Sequence, residues 1–274
     1  MARFPLLIKI ANVLAYVFLT GANVYSGFGP EQDDSPYRTN HPTYISPASF
    51  VFGIGGLIHF LLGGYVIYQF FSSNQEVVED GVGWKFVGIS LLNTLWLALW
   101  VCILQRHFHV IQRDHLFLAL ITIFITYSLV SRVYYLIKTD YAGGSFNEKV
   151  FIHAPFSLYN AWIYVMFIIS IYAAFLPVKE EDESPSILVK SFVVLGLFIL
   201  SFKASIVYIE AAQGDIVGAV VIAFTLYGIF VEQTDPVIHW TALGFAIITS
   251  IHILKPFYLK YVRGEEGERA RLLP

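Results

Sequence analysis

Asn93, Trp96 and Trp100 stand at i, i+3 and i+7, a spacing that puts them on one face of a helix. Asparagine offers a donor and an acceptor, and each indole offers flat apolar area and one N–H. Such a face suits a planar hydrophobic ligand with a few polar edges. It suits helix packing equally, with Asn as glue between helices and Trp in an interfacial belt. A belt accounts for Trp84, whereas Trp96 falls near the middle of its apolar run. Pro155, Tyr159, Trp162 and Met166 repeat the pattern at i, i+4, i+7 and i+11. Pro155 lacks a backbone donor and should kink or start a helix. Ser157 and Asn160 are placed to satisfy the carbonyls it frees. A third stripe, Asn12, Tyr16, Thr20 and Asn23, must face protein or a cavity, because lipid leaves its polar groups unbonded.

Ionisable residues inside apolar runs are candidates for function. His59 lies near the middle of such a run; its imidazole could hold a ligand carboxylate or a metalloporphyrin, or bond a neighbouring Ser or Thr. Lys190, Lys203 and Arg132 are close enough to run ends to snorkel. Glu210 and Asp215 fall in a short connection and read as interfacial. His107, His109 and His115 cluster without a cysteine, so a basic interfacial loop is favoured over a zinc site. No Gly-rich phosphate loop, His-Glu-x-x-His helix or serine elbow occurs. No catalytic residue, metal ligand or resident cofactor is assigned.

The elements that must position these residues are long apolar runs. The chain has 274 residues, 57% hydrophobic and 14% charged, against about 25% charged in a soluble domain. That composition excludes a soluble enzyme and a disordered protein. Seventeen basic and 20 acidic residues, with no basic tract, argue against nucleic acid. Runs lie at roughly 5–26, 47–71, 84–105, 116–138, 151–177, 186–208, 214–231 and 236–258. Each approaches the ~20 residues of a membrane span, and the seventh is the shortest. They do not alternate as barrel strands do, so helices are expected. A charged block at 178–185 separates five runs from three, and a charged tail follows residue 258. Eleven Lys and Arg fall on the side of the two termini and five on the other, which predicts both termini in the cytoplasm. The glycines at 53, 55, 56, 63 and 64, and the pair Gly214 and Gly218, read as points of close helix approach.

Several runs resemble the TspO/translocator-protein (tryptophan-rich sensory protein) family in its longer form. The second run holds Pro47 with Phe52 five residues on, and Gly55 where the family usually has Trp. The third holds Asn93-Thr94-Leu95-Trp96, similar to the family's Asn-x-x-Trp. The fifth holds Pro155-Phe156-Ser157-Leu158-Tyr159-Asn160-Ala161-Trp162, which looks like its Pro-Phe-Ser-x-Tyr-x-x-Trp. The likeness is ordered over residues 1–177 and looser over 186–256. It implies an all-α integral membrane protein: a five-helix bundle at 1–177, three appended helices at 186–258 and a tail at 259–274. It further implies a tetrapyrrole, sterol or other planar hydrophobic ligand held by Phe52, His59, Asn93, Trp96, Trp100, Tyr159 and Trp162. The bilayer, a hydrophobic small molecule and a second copy of the chain are the expected partners. The competing class is a membrane enzyme on an isoprenoid-like substrate, which needs a buried carboxylic acid. The first five runs supply none in their interiors.

Overall fold

The computed structural model describes residues 5–28, 41–72, 75–101, 112–142, 144–179, 184–211 and 214–272. Among the described residues eight long helices follow in order, with a one-turn helix at Phe146–Glu148 before the fifth, and no strand occurs. They are α1 (Pro5–Phe28), α2 (Gly53–Tyr68), α3 (Gly83–Val101), α4 (Gln112–Asp140), α5 (Ala154–Phe175), α6 (Ile187–Phe202), α7 (Ile216–Glu232) and α8 (Pro236–Leu272). A 3-10 turn at Ser49–Phe52 enters α2, and wide π turns at Val77–Val82 and Lys149–His153 enter α3 and α5. Another π turn, Lys203–Ala211, prolongs α6. Gly83 joins its π turn to α3 at φ 47, a conformation that costs glycine little.

Seven of these segments are long and apolar enough to cross a bilayer. The exception is α7, with 17 residues, or about 26 Å at the helical rise. It packs against α5, α8, the π turn after α6 and the 3-10 turn before α2. Protein rather than lipid covers most of it, so it need not match the hydrocarbon thickness. The multi-pass membrane architecture follows from these segments, whose outward side chains, such as Leu14, Phe60 and Ile67, are 66%, 75% and 65% exposed. The charged tail expected beyond residue 258 continues α8 as helix to Leu272.

Helices α1 to α5 close a ring. α1 packs against α2 and α3, α3 against α4, α4 against α5, and α5 against α2. The polar stripe of α1 faces α2. Asn12 donates to Gln69 Oε1 at 3.1 Å, Tyr16 donates to the His59 carbonyl at 3.0 Å, and Thr20 meets His59 Nδ1 at 3.3 Å. The second face of α5 packs on α7, and α8 closes the far side against α6 and α7. With neighbours on both sides, α5 is the central helix: 72% of its most apolar window is buried, against 22% for α1 and α8.

Glycines mark only some of the close approaches expected of them. A Cβ on Gly63 would lie 2.6 Å from the Tyr16 hydroxyl, and one on Gly64 would lie 2.8 Å from Phe151. One on Gly218 would lie 2.6 Å from the Tyr208 ring, whereas Gly53, Gly55 and Gly56 meet nothing within 4 Å. The tightest contact is Gly228, whose Cβ would stand 2.1 Å from Val51 Cγ2. There the loop before α2 docks on α7, with Ala48 N–H donating to the Gly228 carbonyl at 3.0 Å. Gly228→Ala should therefore overpack this joint and cost about 1–3 kcal/mol. Gly56→Ala, which adds a methyl to open space, should be neutral or stabilising. Thermal unfolding of the two variants in detergent checks the contrast.

Candidate functional site

The ring interior collects most of the aromatic residues singled out in the sequence. Trp96 and Trp100 are 3% and 2% exposed, and their rings lie 5.6 Å apart at an interplanar angle of 31°. Asn93, one turn earlier, is 5% exposed. The loop before α2 covers the far end of this face: the His41 ring meets Trp100 edge-on at 5.1 Å. Burial holds the His41 imidazole pKa below its usual range, against a hydrogen bond that the ring donates to the Trp100 backbone carbonyl, which raises it. The Trp100 indole N–H has no hydrogen-bond partner among the described residues. Where α2 meets α5, Phe52 packs edge-on against Trp162 at 5.7 Å, and Tyr159 is buried at 3% exposure. At the other end of the interior, Tyr65, Phe86 and Phe156 meet edge-to-face at 5.2–6.3 Å. That cluster joins the C-terminus of α2 to the N-termini of α3 and α5. His59 is half-buried, and its ring bonds Thr20 of α1. Gly55 lies between Phe52 and His59 on the same helical stripe, and the space its side chain would fill is empty.

Ser157 and Asn160 do not serve the carbonyls freed by Pro155. A π turn immediately before the proline absorbs the missing donor, leaving both side chains to reach across helices. Asn160 donates to Ser131 of α4 at 2.8 Å and accepts from Tyr208 of the π turn after α6. Ser157 donates to Asp215 Oδ2 at 2.8 Å.

Asp215 stands at a helix end, as its sequence position suggests, but protein encloses it. It is 4% exposed and accepts from Tyr134 at 2.7 Å as well as from Ser157. Lys138 pairs with it at 3.2 Å, and its second oxygen caps α7 through Gly218 N–H. Around it a cavity of about 660 Å³ opens between the end of α4, the start of α5, the π turn after α6 and the start of α7. Lys203 also departs from expectation. It is 8% exposed rather than snorkelling, donates to Tyr127 at 3.3 Å, and lies 5.3–5.9 Å from the ring centres of Tyr127, Tyr135, Tyr164 and Tyr208. Those rings replace the solvation its charge loses. Lys190, expected to snorkel, forms an ion pair with Asp235 at 2.7 Å, while Glu210 is exposed and pairs with Lys255.

Sequence reasoning missed the Asp215 cluster because its partners Tyr134 and Ser157 are 81 and 58 residues away in the chain. The only local signal is an aspartate just before an apolar run, which reads as a helix cap. The segment with His107 and His109 lies outside the described residues.

These features define a polytopic α-helical membrane protein in which a closed, aromatic-filled ring of five helices is fused to three more. A family model described as TSPO-like protein matches residues 9–255, and the chain belongs to that family. The matched range spans the charged block after α5 and ends within α8. No curated protein and no solved structure matches the chain.

Proposed function

We propose that this membrane protein binds a planar hydrophobic ligand, of the size of a tetrapyrrole or a sterol, inside the five-helix ring. The observation that carries this reading is the buried Trp96–Trp100 pair. An interfacial belt places indoles at the membrane edge, and neither of these rings has that exposure. The open notch at Gly55, beside the Phe52–Trp162 pair, supports it as room for the edge of a guest.

Titration of intrinsic Trp fluorescence with a porphyrin in detergent tests the proposal. Trp96→Ala removes stacking area and should weaken binding about tenfold or more. Asn93→Ala should cost about 0.5–1.5 kcal/mol, the net value of one hydrogen bond. Gly55→Trp fills the notch and should also weaken binding. Trp84→Phe, at a position 53% exposed, should change little. Equal affinity in the wild type, Trp96→Ala and Gly55→Trp would reduce the aromatic face to helix packing.

A buried carboxylate is the one observation that favours an enzyme acting on an isoprenoid-like substrate. Asp215 accepts from two hydroxyls and an ammonium, which is the arrangement of an acceptor. A protonating acid must have a proton to give, so ligand binding remains the better reading.

A further inference from the structure

The cavity beside Asp215 lies outside the five-helix interior and has a chemistry of its own. Its polar wall carries Lys138 from α4 and Lys149 and His153 from the π turn before α5. Its apolar wall carries Val207 and Ala211 from the π turn after α6, and Ile216 and Val217 from α7. Asp215 supplies the carboxylate of this lining, and both of its oxygens are engaged, with Tyr134, Ser157 and Lys138 on one and the α7 backbone on the other. Lys149 and His153 are different. Neither side chain has a hydrogen-bond or ion-pair partner among the described residues, and Lys149 is exposed. Lys138 spends one of its three donors on Asp215. Both walls are built partly from π turns, which are wider than α-helix and recur at functional sites. At about 660 Å³, the space exceeds what a lone anion fills and falls in the range of small-molecule sites.

We propose that this cavity binds a phosphate-headed amphiphile. The head lies among Lys138, Lys149 and His153, and the first part of its hydrocarbon chain runs along Val207, Ala211, Ile216 and Val217. Three donors from two elements match the several oxygens of a phosphate better than the two of a carboxylate. The cavity stands at the end of the helices, where a lipid-like molecule presents its head to water and its chain to the bilayer. The site is independent of the aromatic interior, so either can fail alone.

The test is native mass spectrometry of the full chain in a neutral detergent, titrated in parallel with short-chain phosphatidic acid, the matching diacylglycerol and inorganic phosphate. Phosphatidic acid should bind at least about tenfold more tightly than either of the others, because it alone engages both walls. The double variant Lys149→Gln/His153→Gln should lose about tenfold or more of that affinity, two charge-assisted contacts being removed. Lys255→Gln, which alters a lysine paired with Glu210 outside the cavity lining, should lose less than about twofold. Val217→Trp fills the apolar wall and should weaken phosphatidic acid without changing inorganic phosphate. The thermal unfolding midpoint of the double variant in the same detergent should match the wild type, which confirms that it is folded. Equal binding of diacylglycerol, unchanged affinity in the double variant, or an equal loss in Lys255→Gln would overturn the headgroup assignment. Inorganic phosphate binding as tightly as phosphatidic acid would overturn the amphiphile in favour of a free phosphate.

Discussion

Asp215→Ala is expected to destabilise the folded protein by about 2–4 kcal/mol, chiefly the cost of leaving two buried hydroxyls without their acceptor. The aspartate is 4% exposed, and its loss strands the Tyr134 and Ser157 hydroxyls as well as the Lys138 ammonium. It also uncaps α7 at Gly218, which adds about 1 kcal/mol within that range. Because Tyr134 and Lys138 belong to α4, Ser157 to α5 and Asp215 to the start of α7, the damage falls on the joint between the ring and the last three helices. Asp215→Asn keeps an acceptor and the cap and should cost less than half as much. Lys138→Met combined with Asp215→Ala should cost less than the two single changes added together, since the two side chains touch directly and each single change removes the same contact. Denaturant unfolding in mixed micelles measures all four. A loss under 1 kcal/mol for Asp215→Ala would mean that water reaches this pair and that it does not hold the joint.

Asn160→Ala should cost about 2–4 kcal/mol, because each buried group left without its partner costs about 1–3 kcal/mol. Asn160 is 0% exposed and bridges Ser131 of α4 to Tyr208 beyond α6. Tyr208 is itself 0% exposed and packs against Gly218 and the Tyr134 ring. No solvent can take over its hydroxyl when the amide is removed. Tyr208→Phe removes the donor and should cost less, as should Ser131→Ala. Ser128→Ala, on the exposed side of α4, removes only a bond to its own helix backbone and should stay within about 0.5 kcal/mol. An Asn160→Ala loss no larger than that of Ser128→Ala would show that the bridge contributes nothing to the joint.

Long apolar runs were legible as helices because a backbone in lipid must bond within its own segment. That constraint acts locally, so composition was enough to set eight helical runs, of which the structure makes seven long enough to span. It could not decide the start of α5. There the wide turn at Lys149–His153 extends the helix upstream of its apolar run, and the Ser145–Glu148 capping box precedes it. The inward direction of the α1 stripe was legible for the same reason. Asn12, Tyr16 and Thr20 had no alternative to protein, and α2 provides it. Helical spacing likewise put Trp96 beside Trp100 and allowed both to be buried.

Tertiary packing alone decided what surrounds a charge. Lys203 and Asp215 both sit near the ends of apolar runs, where sequence permits an ammonium or a carboxylate to reach water. Both are instead enclosed, Lys203 by tyrosines of α4, α5 and its own π turn, and Asp215 by hydroxyls of α4 and α5. Whether a charge snorkels or is buried depends on which neighbours arrive from tens of residues away, and no local pattern encodes that. The sequence by itself determined a helical membrane protein whose polar stripes meet protein, because lipid offers polar groups no partner. Only the tertiary structure joined the two sets of helices through Asp215, Asn160 and Gly228 and opened a charged cavity beside that joint, because those contacts bring together residues whose separation along the chain carries no periodicity.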